Sequence, residues 1–222
     1  MNPSPTRRRF ALGLAAAALA LQAAFALAAP PSGDAAFDAA WQSLDRAMDG
    51  GDSAASDAAA EKFAALSQAD PANPVLLAYA GAAQALKGRD AWAPWRKLSL
   101  TEEGLARIDK ALALLQPAHD RPLYRGTPAS LETRYVAASV FLGLPPMFKR
   151  GPRGEQLLAD VLGSPLLAAS PAGFQGAVLM YAGRQAVKAG KPAEARRHFE
   201  AVLARNAPQA ATARQALQGL SS

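Results

Sequence analysis

The sequence predicts an all-α chain built from antiparallel helix pairs, and three observations carry that prediction. Half of the residues are hydrophobic, but Ala dominates that half, aromatics make up only 7%, and runs of Val, Ile and Thr are missing. Ala is the best helix former, whereas strands want branched or aromatic side chains. Apolar residues recur at steps of three and four, the period of one helix face. Finally, 179–208 reads as a helix, a tight turn at Gly190-Lys191-Pro192, and a second helix. Small residues stand where two helices must cross closely, namely Gly183, Ala186 and Ala195, and Phe199 and Leu203 supply the bulk around them.

The elements follow in order. Residues 1–28 read as a signal peptide: Arg7-Arg8-Arg9, an unbroken apolar run over 10–21, then Ala26-Leu27-Ala28 as a small-x-small cleavage site that leaves Ala29 at the new N-terminus. The run is short for a membrane span of about 20 residues, which favours cleavage over anchoring. Thr6-Arg7-Arg8-Arg9-Phe10 fits a twin-arginine signal and equally the basic start of a Sec signal. Residues 29–33 are a Pro/Ser/Gly linker, and 34–220 form a single helical domain.

Asp34 caps a first helix over 34–49, with Phe37, Trp41, Leu44 and Met48 on one face. After Gly50-Gly51, Asp52 or Ser53 caps a second helix that ends at Ala69 before Asp70-Pro71. Asn73-Pro74 opens a third over 75–87, ended by Gly88. An insertion, 89–100, takes the place of a tight turn, and Thr101-Glu102-Glu103 starts a fourth helix that runs to Gln116. A polar connection over 117–128 leads to a fifth helix, 128–144, with Leu131, Tyr135, Ala138 and Leu142 inward, broken by Pro145-Pro146. A basic loop over 147–153, a short sixth helix over 154–162 and an irregular or single-turn segment over 164–171 follow. The seventh and eighth helices are the pair described first. The ninth, 208–220, is Ala- and Gln-rich and suits a cap on the open end.

The last pair resembles a tetratricopeptide repeat, a unit of about 34 residues whose two helices cannot bury their apolar faces alone. The resemblance implies a right-handed α-α superhelix of about four helix pairs with a C-terminal capping helix. Two features of the middle of the chain are similar to a group of bacterial exported tetratricopeptide proteins. One is Arg89-Asp-Ala-Trp-Ala-Pro-Trp-Arg-Lys-Leu98 followed by Glu102-Glu-Gly-Leu-Ala106; the other is Arg134-Tyr135-Val-Ala137 with Leu144-Pro-Pro-Met-Phe148. That similarity implies a fold and a periplasmic or secreted location only, since the group has no assigned activity.

Composition excludes several classes of function. With no Cys, disulfides, thiolate metal sites, a Cys nucleophile and a lipidated Cys are ruled out. Charge is asymmetric: 34–70 carries eight acids and two bases, whereas 179–222 carries seven bases and two acids. The two His are scattered. His198 sits among Arg196, Arg197 and Glu200 and reads as a solvated residue; His119-Asp120 lacks a nucleophile or metal partner in sequence. Glu102-Glu103 reads as acids favoured by a helix start rather than a catalytic pair. No phosphate loop and no metal-ligand spacing occurs, so no cofactor and no metal are expected.

These readings lead to a non-enzymatic interaction module. On the concave side, Arg184, Val187 and Lys188, with Arg134 and Tyr135 from the preceding first helix, are expected to line a shallow basic groove for a peptide or protein partner. Trp92, Trp95 and Arg96 in the insertion read two ways: as an aromatic-cationic lip for a small ligand or an envelope polymer, or as a plug that fills the gap the insertion opens. A role as an accessory subunit of an envelope enzyme is the further alternative. Nucleic acid is not expected, membrane contact is expected only through an uncleaved leader, and the acid-to-basic polarity suggests weak head-to-tail self-association.

Overall fold

The computed structural model describes residues 33–48 and 52–220. The expected signal peptide with its Ala28/Ala29 cleavage site, the linker as far as residue 32, and the Gly50-Gly51 turn lie outside the described residues.

Among the described residues the chain forms ten α-helices and one two-stranded hairpin. The helices are α1 (Gly33–Met48), α2 (Ser53–Ala69), α3 (Pro74–Asp90), α4 (Pro94–Ala113), α5 (Ala129–Gly143), α6 (Gly151–Gly163), α7 (Pro165–Ala169), α8 (Ala172–Lys188), α9 (Pro192–Ala204) and α10 (Ala210–Gly219). Strands β1 (Pro122–Tyr124) and β2 (Thr127–Pro128) lie between α4 and α5. Neighbours in sequence pack as neighbours in space: α2 on α3, α3 on α4, α5 on α6, α8 on α9 and α9 on α10, with α5 also against α3.

Local signals start and stop these helices. Asp52 caps α2 by accepting the Ala55 N–H at 2.9 Å, and Asn73 caps α3 by accepting the Val75 and Leu76 N–H groups. Gly190 ends α8 with φ +68°. There the Lys191 N–H reaches the Ala186 carbonyl and the Gly190 N–H the Val187 carbonyl, so two carbonyls of the last turn are satisfied in a Schellman arrangement.

Glycines set how closely the pairs cross. A Cβ on Gly81 would lie 2.6 Å from the Gly104 carbonyl oxygen, and one on Gly104 equally close to the Gly81 oxygen, so α3 and α4 touch backbone to backbone. A Cβ on Gly183 would penetrate the Phe199 ring, and Ala195 on the facing helix is fully buried. The last pair therefore nests through the residues that the sequence singles out.

The core runs along the chain as a series of clusters. The first joins Phe37, Leu44, Phe63, Val75, Leu76 and Tyr79; the next Leu105, Ile108, Ala137 and Phe141; then Leu131, Leu158, Val161 and Val178; last Leu179, Phe199 and Val202. Aromatic edges bind α1 to this series, with Phe37 5.8 Å from Phe63 and 5.4 Å from Tyr79. Asp109 of α4 holds Arg150 and Arg153 at the start of α6, at 2.8 and 2.6 Å, with both guanidinium groups beside the Phe141 ring.

Several expected boundaries shift. Helix α3 runs through Gly88 to Asp90, because Gly88 serves a close approach to Thr101 rather than a stop. The 89–100 insertion is mostly helix: only Ala91–Ala93 separate α3 from α4, and Pro94 opens α4 as a first-turn proline. Glu102 and Glu103 consequently sit inside α4, where the start-of-helix explanation for them does not apply. The polar connection contains a hairpin, and the last three residues of the basic loop, 151–153, are the first turn of α6. In the segment 164–171 the single-turn alternative holds: it contains the five-residue helix α7, the tenth helix among the described residues beside the nine longer ones expected.

Candidate functional site

Three groups of residues come forward. The first is the corner between α3 and α4. Ala93 is fully buried and pins the short loop, while Trp92 and Trp95 on either side of it stand 85% and 68% exposed. Their rings meet edge to face at 6.0 Å. Leu98, one further turn along α4, is also exposed. This exposure overturns the plug reading, since a side chain that fills a gap between helices is covered by them.

A polar network holds the corner in place. Lys97 donates to the Arg89 carbonyl at 2.8 Å. Arg89 grips Asp90 through Nε at 2.7 Å and donates to the Ala47 carbonyl of α1 at 2.9 Å. The Ser56 hydroxyl donates to the other Asp90 oxygen, and Lys87 pairs with Asp57 at 2.7 Å. The Arg89 hydrogen bond is the main reason the Asp90 carboxyl sits below its ordinary range. An open cleft of about 230 Å³ lies beneath, lined by Ser56, Asp57, Lys87, Asp90, Trp92 and Arg96.

The second group is the expected groove. Arg184, Val187 and Lys188 are exposed on α8. Tyr135 is wedged between helices: its hydroxyl donates to the Ala177 carbonyl at 3.2 Å, and its ring meets Phe174 and Tyr181 edge-on. Burial pushes its phenol pKa up. Arg184 lies over Tyr181, which connects it with Tyr135. Arg134 bonds back to the Ser130 carbonyl and lines a different cleft, with Leu115, Gln116 and Asp120. The structure thus keeps Arg184, Val187 and Lys188 together on α8, links Tyr135 to Arg184 only through Tyr181, and separates Arg134.

The third group was not singled out in the sequence. Glu132 of α5 is 1% exposed. Its Oε1 accepts from the Tyr79 hydroxyl at 2.8 Å and lies 3.5 Å from the Arg125 guanidinium, while the buried Oε2 has no hydrogen-bond partner among the described residues. Burial is the dominant cause that raises the Glu132 carboxyl to about 7, against the lowering pull of the Tyr79 bond and the Arg125 charge. Arg125 is the tip of the β1–β2 hairpin. Arg125 and Gly126 both have positive φ, +50° and +72°, as a two-residue hairpin turn of this hand requires. From there the Arg125 guanidinium lies 4.5 Å from the Trp41 ring and 5.1 Å from the Phe37 ring. Tyr124 stacks flat on Phe37 at 4.2 Å and is contacted by the Asn73 amide at 3.3 Å. Burial raises the Tyr124 phenol; the Asn73 bond opposes it, and the charges of Asp70, Asp34 and Glu132 add to the rise. Tyr124-Arg-Gly-Thr127 was the one available signal, an X-Gly turn between extended residues.

Each His makes a contact within its own helical segment. His119 Nδ1 accepts the Gln116 N–H at 2.9 Å as part of a helical cap. His198 is partly buried, not solvated as expected: burial lowers its pKa, and Glu194 lies 3.8 Å away. Among the described residues no group of three or more His, Asp and Glu side chains is arranged to hold a metal ion, and no helix is long and apolar enough to cross a membrane. No protein-family model, curated protein or solved structure matches the chain.

Proposed function

We propose that the chain is an exported, non-enzymatic interaction module of tetratricopeptide type, a right-handed superhelix of helix pairs ended by α10, which binds a peptide or protein partner. The observation that carries this reading is the exposed Trp92–Trp95 pair. Each Trp offers on the order of 150–250 Å² of mostly apolar surface. Leaving two of them in water, next to a buried Ala93 that fixes their position, makes physical sense when a partner covers them. Arg96 and Lys97 beside them fit a partner segment that carries both apolar and acidic side chains. The exposed Arg184, Val187 and Lys188 on α8 support a second contact on the same partner.

Capture from envelope extract tests the reading. Trp92→Ala/Trp95→Ala is expected to lose a partner that the unaltered chain retains, and Arg184→Glu/Lys188→Glu to weaken it. Equal capture by all three forms removes both surfaces. A small ligand or envelope polymer as occupant is the other reading that the Trp92 cleft supports, and blue-shifted Trp emission on adding such a ligand would favour it.

A further inference from the structure

The Arg125 guanidinium occupies a site that has the makings of a binding pocket in its own right. Two aromatic faces, Trp41 and Phe37, lie within 4.5 and 5.1 Å of it. A ring face attracts a cation electrostatically, and a planar guanidinium stacks on it as well. The floor is the Glu132 side chain, 1% exposed, whose carboxyl supplies the counter-charge such a cation needs once the pH is above its raised titration near 7. Tyr124 closes one wall by stacking on Phe37. Surrounding charge has the matching sign: Asp34 and Asp70 lie close enough to act on Tyr124, and 34–70 as a whole carries eight acids against two bases.

The present occupant holds the site loosely. Arg125 makes one contact with Glu132, and it is long, at 3.5 Å. The second carboxylate oxygen is buried and has no partner among the described residues, although a guanidinium is able to satisfy both oxygens of a carboxylate at once. Arg125 reaches in from a left-handed backbone conformation, which a non-glycine residue seldom adopts. Its side chain is 38% exposed, so its outer edge faces water and it leaves without opening the helix core.

We propose that Phe37, Trp41, Tyr124 and Glu132 form a guanidinium cage that Arg125 fills in the resting protein, and that an arginine side chain of a partner segment displaces Arg125 from it. The cage is separate from the Trp92–Trp95 corner, and either assignment stands if the other fails. A lysine side chain binds more weakly, because an ammonium cannot meet both carboxylate oxygens in one plane.

The test uses the full chain at about pH 8.5, where Glu132 is ionised, and Nα-acetyl-arginine amide as probe, with the citrulline amide as its uncharged match in shape. In Arg125→Ala the cage is empty. Its melting temperature is expected to rise saturably with the arginine probe, by about 3–5 °C at tenfold excess over Kd, and to ignore citrulline. Adding Glu132→Gln is expected to weaken that binding by about tenfold or more. In the unaltered chain the probe is expected to move the Trp41 indole N–H signal saturably in NMR while the Trp92 and Trp95 signals stay still. Its affinity should be lower than for Arg125→Ala, because Arg125 competes. Should Arg125→Ala fail to fold, Arg125→Gly, which empties the cage and suits the left-handed backbone of the hairpin turn, carries the same titration. Equal response to arginine and citrulline overturns the cage. A response in the Arg125 variant with none in the unaltered chain overturns the displacement, and makes Arg125 a fixed clamp.

Discussion

Burial of Glu132 has a measurable effect on stability as a function of pH. Its carboxyl is raised from the ordinary 4.5 to about 7 in the folded chain. The folded state therefore holds this proton more tightly than the unfolded state. Below about pH 4.5 both states are protonated and the group contributes no pH dependence. Between there and about 7 the unfolded chain loses the proton first, so stability falls as pH rises. Above about 7 both are ionised, and the folded state carries a buried carboxylate. The full loss is on the order of 3 kcal/mol, because each tenfold gain in proton affinity on folding is worth about 1.4 kcal/mol. Glu132→Gln keeps an acceptor for the Tyr79 hydroxyl and removes the titration. Urea unfolding followed by far-ultraviolet circular dichroism, from pH 4.5 to 8, compares the two chains. Every other group cancels in the difference. The stability of the unaltered chain relative to the variant is expected to decline by roughly 3 kcal/mol across that range, within about a factor of two. Parallel curves would show that folding leaves the proton affinity of Glu132 unchanged and would sink the burial argument. A rise with pH instead of a decline would mean that Arg125 stabilises the carboxylate more than burial destabilises it.

Further expectations are simpler to check. Gly81→Ala forces α3 from α4 at a backbone carbonyl, and a loss of about 1–3 kcal/mol is expected in denaturant unfolding; Gly143→Ala, with nothing among the described residues within 4 Å of its Cβ, should be neutral or slightly stabilising. Two of the three Trp are exposed, so intrinsic emission should be red-shifted and readily quenched by acrylamide, and Trp92→Phe/Trp95→Phe should remove most of that quenching. Asp109→Ala releases Arg150 and Arg153 together; with all three side chains a quarter to a half exposed, a loss of about 1 kcal/mol is expected by the same unfolding assay.

The helices were readable because their signals are local. Asp52 and Asn73 announce the starts of α2 and α3, Gly190 the end of α8, and the Gly183, Ala195, Phe199 trio the way the last pair crosses. Boundaries moved where one residue type serves two purposes. Gly88 looks like a stop and is a contact point; Pro94 looks like a breaker and is the first residue of a helix. The Arg125–Glu132 site was hidden for a different reason. Its parts come from α1, α3, the hairpin and α5, more than ninety residues apart at the extremes, and no periodicity links them. For Trp92 and Trp95 two outcomes stood open in the sequence, because both a plug and a lip use the same residues; burial alone separates them.

If the Trp92–Trp95 corner is where the partner sits, a reactive group placed there must touch that partner. A photo-reactive phenylalanine at Trp95, in the full chain expressed in its own cells, makes the contact visible. Illumination is expected to give a discrete crosslinked species, absent when the same group is placed at the exposed but distant Met147. A chain that yields no adduct at Trp95 and a discrete one at Met147 would move the partner off the corner.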